Sequence, residues 1–164
     1  MNTGSLILSM KEKIAEELIR DPAITAAVCT DGTVPENPED LYGTRIFRYH
    51  RLPDEQGAPT AYLTVQVHIP RSEDRNNTFL KPTLELWVIT HESLMPIAGH
   101  PEVNAGRNDY VSQLLDEKFQ GYEGLGYGRL AFAENTEGVL PGSFLYRKLI
   151  YETLDFNGSV YDRW

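Results

Sequence analysis

The segment Thr83 to His91 sets the tightest limit on how this chain folds. Read with strand alternation, Leu84, Leu86 and Val88 fall on one face, and Trp87 and Ile89 fall on the other. A strand that is apolar on both faces needs cover on both. Whatever layers the rest of the chain supplies have to meet that demand.

The first layer is a helix expected over Ser5 to Arg20. Ile7, Met10, Ile14 and Leu18 form its apolar stripe, and Lys11, Glu12, Lys13, Glu16 and Glu17 cover the other side. Asp21-Pro22 ends it and starts a short helical piece over Ala23 to Cys29, with Asp21 as N-cap and Pro22 in the first turn. Thr30 to Tyr42 is turn-rich, with a turn at Asp31-Gly32 and a capped helical turn at Asn37-Pro38-Glu39-Asp40.

A strand follows over Thr44 to Arg51, with Phe47 and Tyr49 on one face. Pro53 to Pro59 reads as a polar loop. The cleanest strand is Ala61 to Ile69. Ala61, Leu63, Val65, Val67 and Ile69 point one way; Tyr62, Thr64, Gln66 and His68 make the polar side. The spacing predicts a hairpin between these two strands. Pro70 to Pro82 is a charged, asparagine-rich loop. A second helix is expected over Asn108 to Phe119, lined by Tyr110, Val111, Leu114, Leu115 and Phe119. The chain then closes with a short strand over Gly126 to Phe132, a polar turn at Asn135-Thr136-Glu137-Gly138, and a long strand over Phe144 to Phe156.

This order predicts an α+β fold: a mainly antiparallel sheet of about five strands with two main helices packed on one face. Residues 1–164 form one domain, a length that builds one sizeable core. Two helices on one face leave the other bare, yet Trp87, Ile89 and the closing strand carry apolar residues there. Large exposed apolar patches are rare on monomers. Other subunits are the expected cover, with the Thr30 to Tyr42 segment as the intramolecular alternative.

Charge narrows the partners. Twenty-four acidic against fifteen basic residues give a formal net charge of -9. That disfavours tight nucleic-acid binding, which needs a basic surface. It still allows a path that DNA traverses without sticking. The single cysteine, Cys29, excludes an intramolecular disulfide and reads as a small core filler beside Ala26, Ala27 and Val28. Met1 to Met10 lacks the basic start and cleavage site of a signal peptide, and no run approaches membrane-spanning length, so no membrane partner is expected. The sequons Asn76-Asn77-Thr78 and Asn157-Gly158-Ser159 mark exposed loops only.

Reaction chemistry finds no anchor. Gly121, Gly124, Gly126 and Gly128 follow a helix and precede a strand, the reverse of a dinucleotide fingerprint, and no Lys-Ser or Lys-Thr closes a phosphate loop. His50, His68, His91 and His100 are scattered. A site from His68, His91 and Glu85 is conceivable on adjacent strands, but metal ligands usually sit at tighter spacing. No Gly-x-Ser-x-Gly elbow exists; Gly142-Ser143 belongs to a hairpin turn. The acidic pairs Glu39-Asp40, Asp54-Glu55 and Glu73-Asp74 lie in loops. No catalytic, cofactor or metal residues are assigned, and the chain is not expected to be an enzyme.

The order of elements and the closing residues resemble the tail terminator, or tail-completion, proteins of long-tailed bacteriophages. The local likeness runs through Gly126-Tyr127-Gly128-Arg129-Leu130, Asn135-Thr136-Glu137-Gly138 and Phe144-Leu145-Tyr146-Arg147-Lys148-Leu149-Ile150-Tyr151-Glu152-Thr153-Leu154-Asp155-Phe156-Asn157. Its wording is similar to versions from phages and prophages of Gram-positive bacteria. The resemblance implies a six-fold ring of identical subunits that caps the tail tube and docks to the head-tail connector. It implies further that genomic DNA passes through the lumen without specific binding. The place of action would be the virion neck, after assembly in the bacterial cytoplasm. The Pro70 to Pro82 loop, which has no counterpart in the family, would reach a neighbouring ring component. Two other classes remain: a head-completion or stopper protein of the neck, and a small ligand-binding or enzymatic α+β domain.

Overall fold

The computed structural model describes residues 3–70, 81–97, 106–126 and 128–154. Apolar side chains four residues apart drive its first helix. α1 (Thr3–Ile19) buries Leu6, Met10, Ile14 and Leu18, with Ala15 and Ile19 beside them. The stripe begins at Leu6, whereas Ile7, expected to lead it, packs half-buried on the flank. Steps of four outrun the helical turn of 3.6 residues, so the stripe drifts around the cylinder and takes in Ala15 and Ile19. α2 (Pro22–Val28) forms as the sequence predicts. Asp21 accepts from the backbone N–H groups of Ala23 and Ile24 at 3.0 and 3.1 Å, and Pro22 occupies the first turn. Asn37 caps a single 3-10 turn, Pro38–Leu41.

The five strands are β1 (Ile46–Phe47), β2 (Ala61–His68), β3 (Thr83–His91), β4 (Arg129–Leu140) and β5 (Phe144–Leu154). Their order across the sheet is β1-β2-β3-β5-β4. β3 therefore sits in the middle, as its two apolar faces require. The fold is α+β, with a mixed sheet in which only β1 and β2 run parallel.

That parallel pair corrects the expected hairpin. β1 is two residues long rather than Thr44 to Arg51, and Ile46 pairs with Leu63 and Phe47 with Thr64. Parallel neighbours need a crossover of about a dozen residues, which residues 48–60 supply. They are not strand because they cross the second face of the sheet as its cover. The His50 ring lies 4.6 Å from that of Trp87, and the Tyr62 hydroxyl donates to the Arg51 carbonyl at 3.0 Å.

The core is divided by the sheet. On one side α1, α2 and α3 (Arg107–Phe119) pack against Leu63, Val65, Leu84, Leu86, Leu149 and Tyr151. On the other, Phe47, Tyr62, Ile89 and Phe144 form a smaller cluster flanked by Trp87, Leu140 and Tyr146. Tyr62 and Thr64, read as the polar side of β2, are buried under this second layer. The segment Thr30 to Tyr42 does not provide it, because Leu41 and Tyr42 pack with the helices. Ile89 is thus covered by its own chain, and that face gives less ground for a second subunit than its sequence suggests. In α3, Val111, Leu115 and Phe119 are buried as expected, together with Arg107, Asn108 and Ser112, while Tyr110 and Leu114 are only partly covered.

The closing hairpin is longer than predicted. Asn135 to Gly138 is strand, not turn, and the reversal falls at Pro141–Ser143. Gly142 and Ser143 supply the positive φ angles, +81° and +65°, that a tight reversal needs. Cross-strand charge holds the polar stretch extended: Glu137 meets Arg147 at 2.9 Å and Glu134 meets Lys148 at 3.1 Å. A bulge between Phe132 and Glu134 shifts the register.

Candidate functional site

The residues that sequence reasoning weighed for chemistry are not brought together. His68 and Glu85 meet at 3.5 Å, but His91 stands at the far end of β3, six residues and roughly 20 Å along the strand, hydrogen-bonded to Ser93 at 2.8 Å. No cluster suited to a metal ion occurs among the described residues. His100 and the Glu73-Asp74 pair lie outside them, as do both sequons. Gly121 donates its N–H to Leu130 at 2.8 Å, and Leu130 returns one to Tyr122 at 3.0 Å. The glycine run is therefore the connection that ties the end of α3 to the outer edge of β4. Cys29 is buried, and burial pushes its thiol pKa up, away from nucleophilic character.

What the fold builds instead is a cleft beside the hairpin. It encloses about 300 Å³ between Met95, the first turn of α3 and the distal part of β4 and β5. Asn108 forms its floor. This side chain is 4 % exposed; its Nδ2 donates to the Leu145 carbonyl at 3.1 Å, while its Oδ1 has no partner. A buried acceptor left unmade costs about 1–3 kcal/mol, so the atom is poised for a donor. Asp109 and Glu137 stand beside it, and both are bridged by Arg147. Two carboxylates against one guanidinium leave the cleft acidic. Val139 forms an apolar lip, 75 % exposed.

The wall of the cleft is fixed by a buried cation. Arg107 donates to the carbonyls of Leu94 at 2.8 Å and Pro96 at 3.3 Å, and also to that of Ala27. Its backbone N–H reaches the Met95 carbonyl at 2.8 Å. Burial lowers its pKa, with Arg45 adding to the effect. The outer edge of β4 is occupied only in part. Leu130 is tied to Tyr122, and Phe132 donates its N–H to the Gln120 side chain at 2.6 Å. Beyond the bulge β4 is the terminal strand of the sheet.

A second surface of different character follows β1. Arg48 lies over the Tyr42 ring at 4.3 Å and Arg51 over Phe47 at 4.8 Å. Tyr49 and Leu52 between and beside them are 57 % and 60 % exposed. Arginine and tyrosine with exposed aliphatic carbon is the composition of protein contact surfaces. Sequence reasoning missed both surfaces. The available signal was Arg48-Tyr49-His50-Arg51-Leu52 itself, whose alternation had been assigned to a strand.

Fold and surfaces together define an α+β protein with a mixed five-stranded sheet, an exposed terminal hairpin and two contrasting polar patches. The chain belongs to the YomW family, whose model matches residues 12–153. It is a phage-type family, named from a Bacillus phage or prophage gene. Neither a curated protein nor a solved structure matches the chain. Among the described residues, no helix is long and apolar enough to cross a membrane.

Proposed function

We propose that this protein is a structural component of the phage virion, a tail terminator that forms a ring on the finished tail tube and joins it to the head connector. The observation that carries the reading is the long β4–β5 hairpin at the sheet edge of a chain from a phage-type family. Its exposed Phe132 and Val139 are side chains suited to contact with other subunits rather than with solvent. A heterologous ring needs two different patches on each subunit, and closes when the rotation between them permits. The acidic cleft and the arginine strip meet that need. The net charge of -9 suits a lumen through which DNA moves without adhering. The role is structural, without catalysis, and the protein acts at the virion neck after assembly in the host cytoplasm.

Native mass spectrometry of the purified protein, followed by negative-stain imaging, tests the ring. A closed ring with an open centre is expected, and it should bind purified tails rather than filled heads. Binding to heads alone would transfer the protein to the head-completion class. A strict monomer that binds neither particle would end both readings.

A further inference from the structure

We infer that the cleft beside the β4–β5 hairpin is a docking site for the Arg48–Leu52 strip of a second copy of this chain. The inference rests on the self-assembly proposed above and specifies the two surfaces that meet.

Three observations carry it. The first is the orphaned Oδ1 of Asn108, a buried acceptor on the cleft floor that lacks a donor. The second is charge. Asp109 and Glu137 exceed Arg147 in the cleft, whereas Arg48 and Arg51 have only aromatic rings, no carboxylate, as described partners. A guanidinium entering the cleft would donate to Asn108 and be drawn by the surplus carboxylate. The third is placement. The strip follows β1 and the cleft opens beside β4, at opposite edges of the sheet. Four strand spacings separate those edges, about 19 Å, so the strip cannot reach its own cleft. Each copy thus offers a donor surface on one side and an acceptor surface on the other, the arrangement of a head-to-tail contact. Apolar groups match as well: Tyr49 and Leu52 on the strip face Val139 and Met95 at the cleft.

The test uses the full chain carrying Tyr49→Cys in one preparation and Val139→Cys in another. Cys29 is buried and stays silent toward a short bis-maleimide. Mixing the two preparations should give a cross-linked dimer, and neither alone should. In parallel, Arg48→Glu with Arg51→Glu should weaken association roughly tenfold or more, and Glu137→Arg in the partner copy should restore part of it. A Val139→Cys preparation that links to itself would show hairpin-to-hairpin pairing and overturn the inference. So would a ring in which positions 49 and 139 never link, which leaves the ring reading intact. A 49–139 link in open chains that never close would keep this interface and remove the terminator ring. Monomers without any link, at every concentration tried, would overturn both.

Discussion

A single oxygen joins Asp109 to Arg147: the guanidinium donates to Asp109 Oδ1 from Nε at 2.9 Å and from Nη2 at 2.6 Å. The same side chain reaches Asn135 at 2.9 Å through Nη1 and Glu137 at 2.9 Å through Nη2. One arginine therefore ties the first turn of α3 to both strands of the hairpin. Replacing it with methionine should cost about 2 kcal/mol, because partly buried acceptors lose a charged donor. Arg147→Lys should recover only part, since an ammonium cannot fork between partners. Urea midpoints measure both. A loss under about 0.5 kcal/mol would mean that the network behaves as a solvated surface pair.

Arg107 offers a harsher test. Its guanidinium satisfies carbonyls from three separate segments: Ala27, Leu94 and Pro96. Arg107→Met should leave those acceptors bare and destabilise the fold by about 3 kcal/mol. Hydrogen exchange should speed most at the Arg107 amide, which bonds Met95. Wild-type exchange there together with an unchanged melting temperature would refute the assignment.

Alkaline pH should unfold the protein through its buried phenols. Burial pushes the Tyr62 pKa up to about 12, and Tyr151, buried and donating to Asp116, is raised as well. The fold favours the neutral phenol, so this contribution is complete below the unfolded value near pH 10. It is lost as pH rises from roughly 10 to 12. Denaturant midpoints should fall across that window, with tyrosinate absorbance rising in step. Tyr62→Phe should flatten part of the decline, while giving up the hydrogen bond to Arg51 for about 1 kcal/mol at neutral pH. An identical alkaline decline in the variant would exclude Tyr62 as a cause.

Gly138 makes room for an aromatic ring. A Cβ there would stand 2.5 Å from the Tyr146 hydroxyl oxygen and 2.6 Å from its ring carbon. Gly138→Ala should therefore swing Tyr146 off Trp87, with which it stacks at 4.5 Å, at a cost of about 1–3 kcal/mol. Trp87 emission should shift in a Trp164→Phe background. Unchanged emission would mean that the ring finds another way around the methyl.

The sequence made the regular elements legible where one physical demand dominated. Asp21-Pro22 announced α2, because a capping carboxylate and a proline leave little else to form. Alternation announced β2 and β3 nearly to the residue. It failed at Thr44 to Arg51, where the same alternation serves a crossover that lays His50 against Trp87. It failed again at Asn135 to Gly138, which look like a turn until Arg147 and Lys148 are placed opposite their carboxylates. The cleft was invisible for a related reason. Asn108 and Asp109 are an ordinary helix start in sequence, and only the packing of α3 on β5 turns one into an orphaned acceptor and the other into a bridge.

The place of β5 between β3 and β4 has a consequence for biosynthesis. β4 emerges from the ribosome before its only partner strand, and until β5 follows, β3 keeps one edge open with apolar side chains on both faces. A nascent chain stopped at Leu140 holds two unsatisfied strands and an exposed aggregation template. Completion of the sheet, and with it both contact surfaces, waits on translation through Leu154. Subunits still being synthesised are thereby kept out of any assembly.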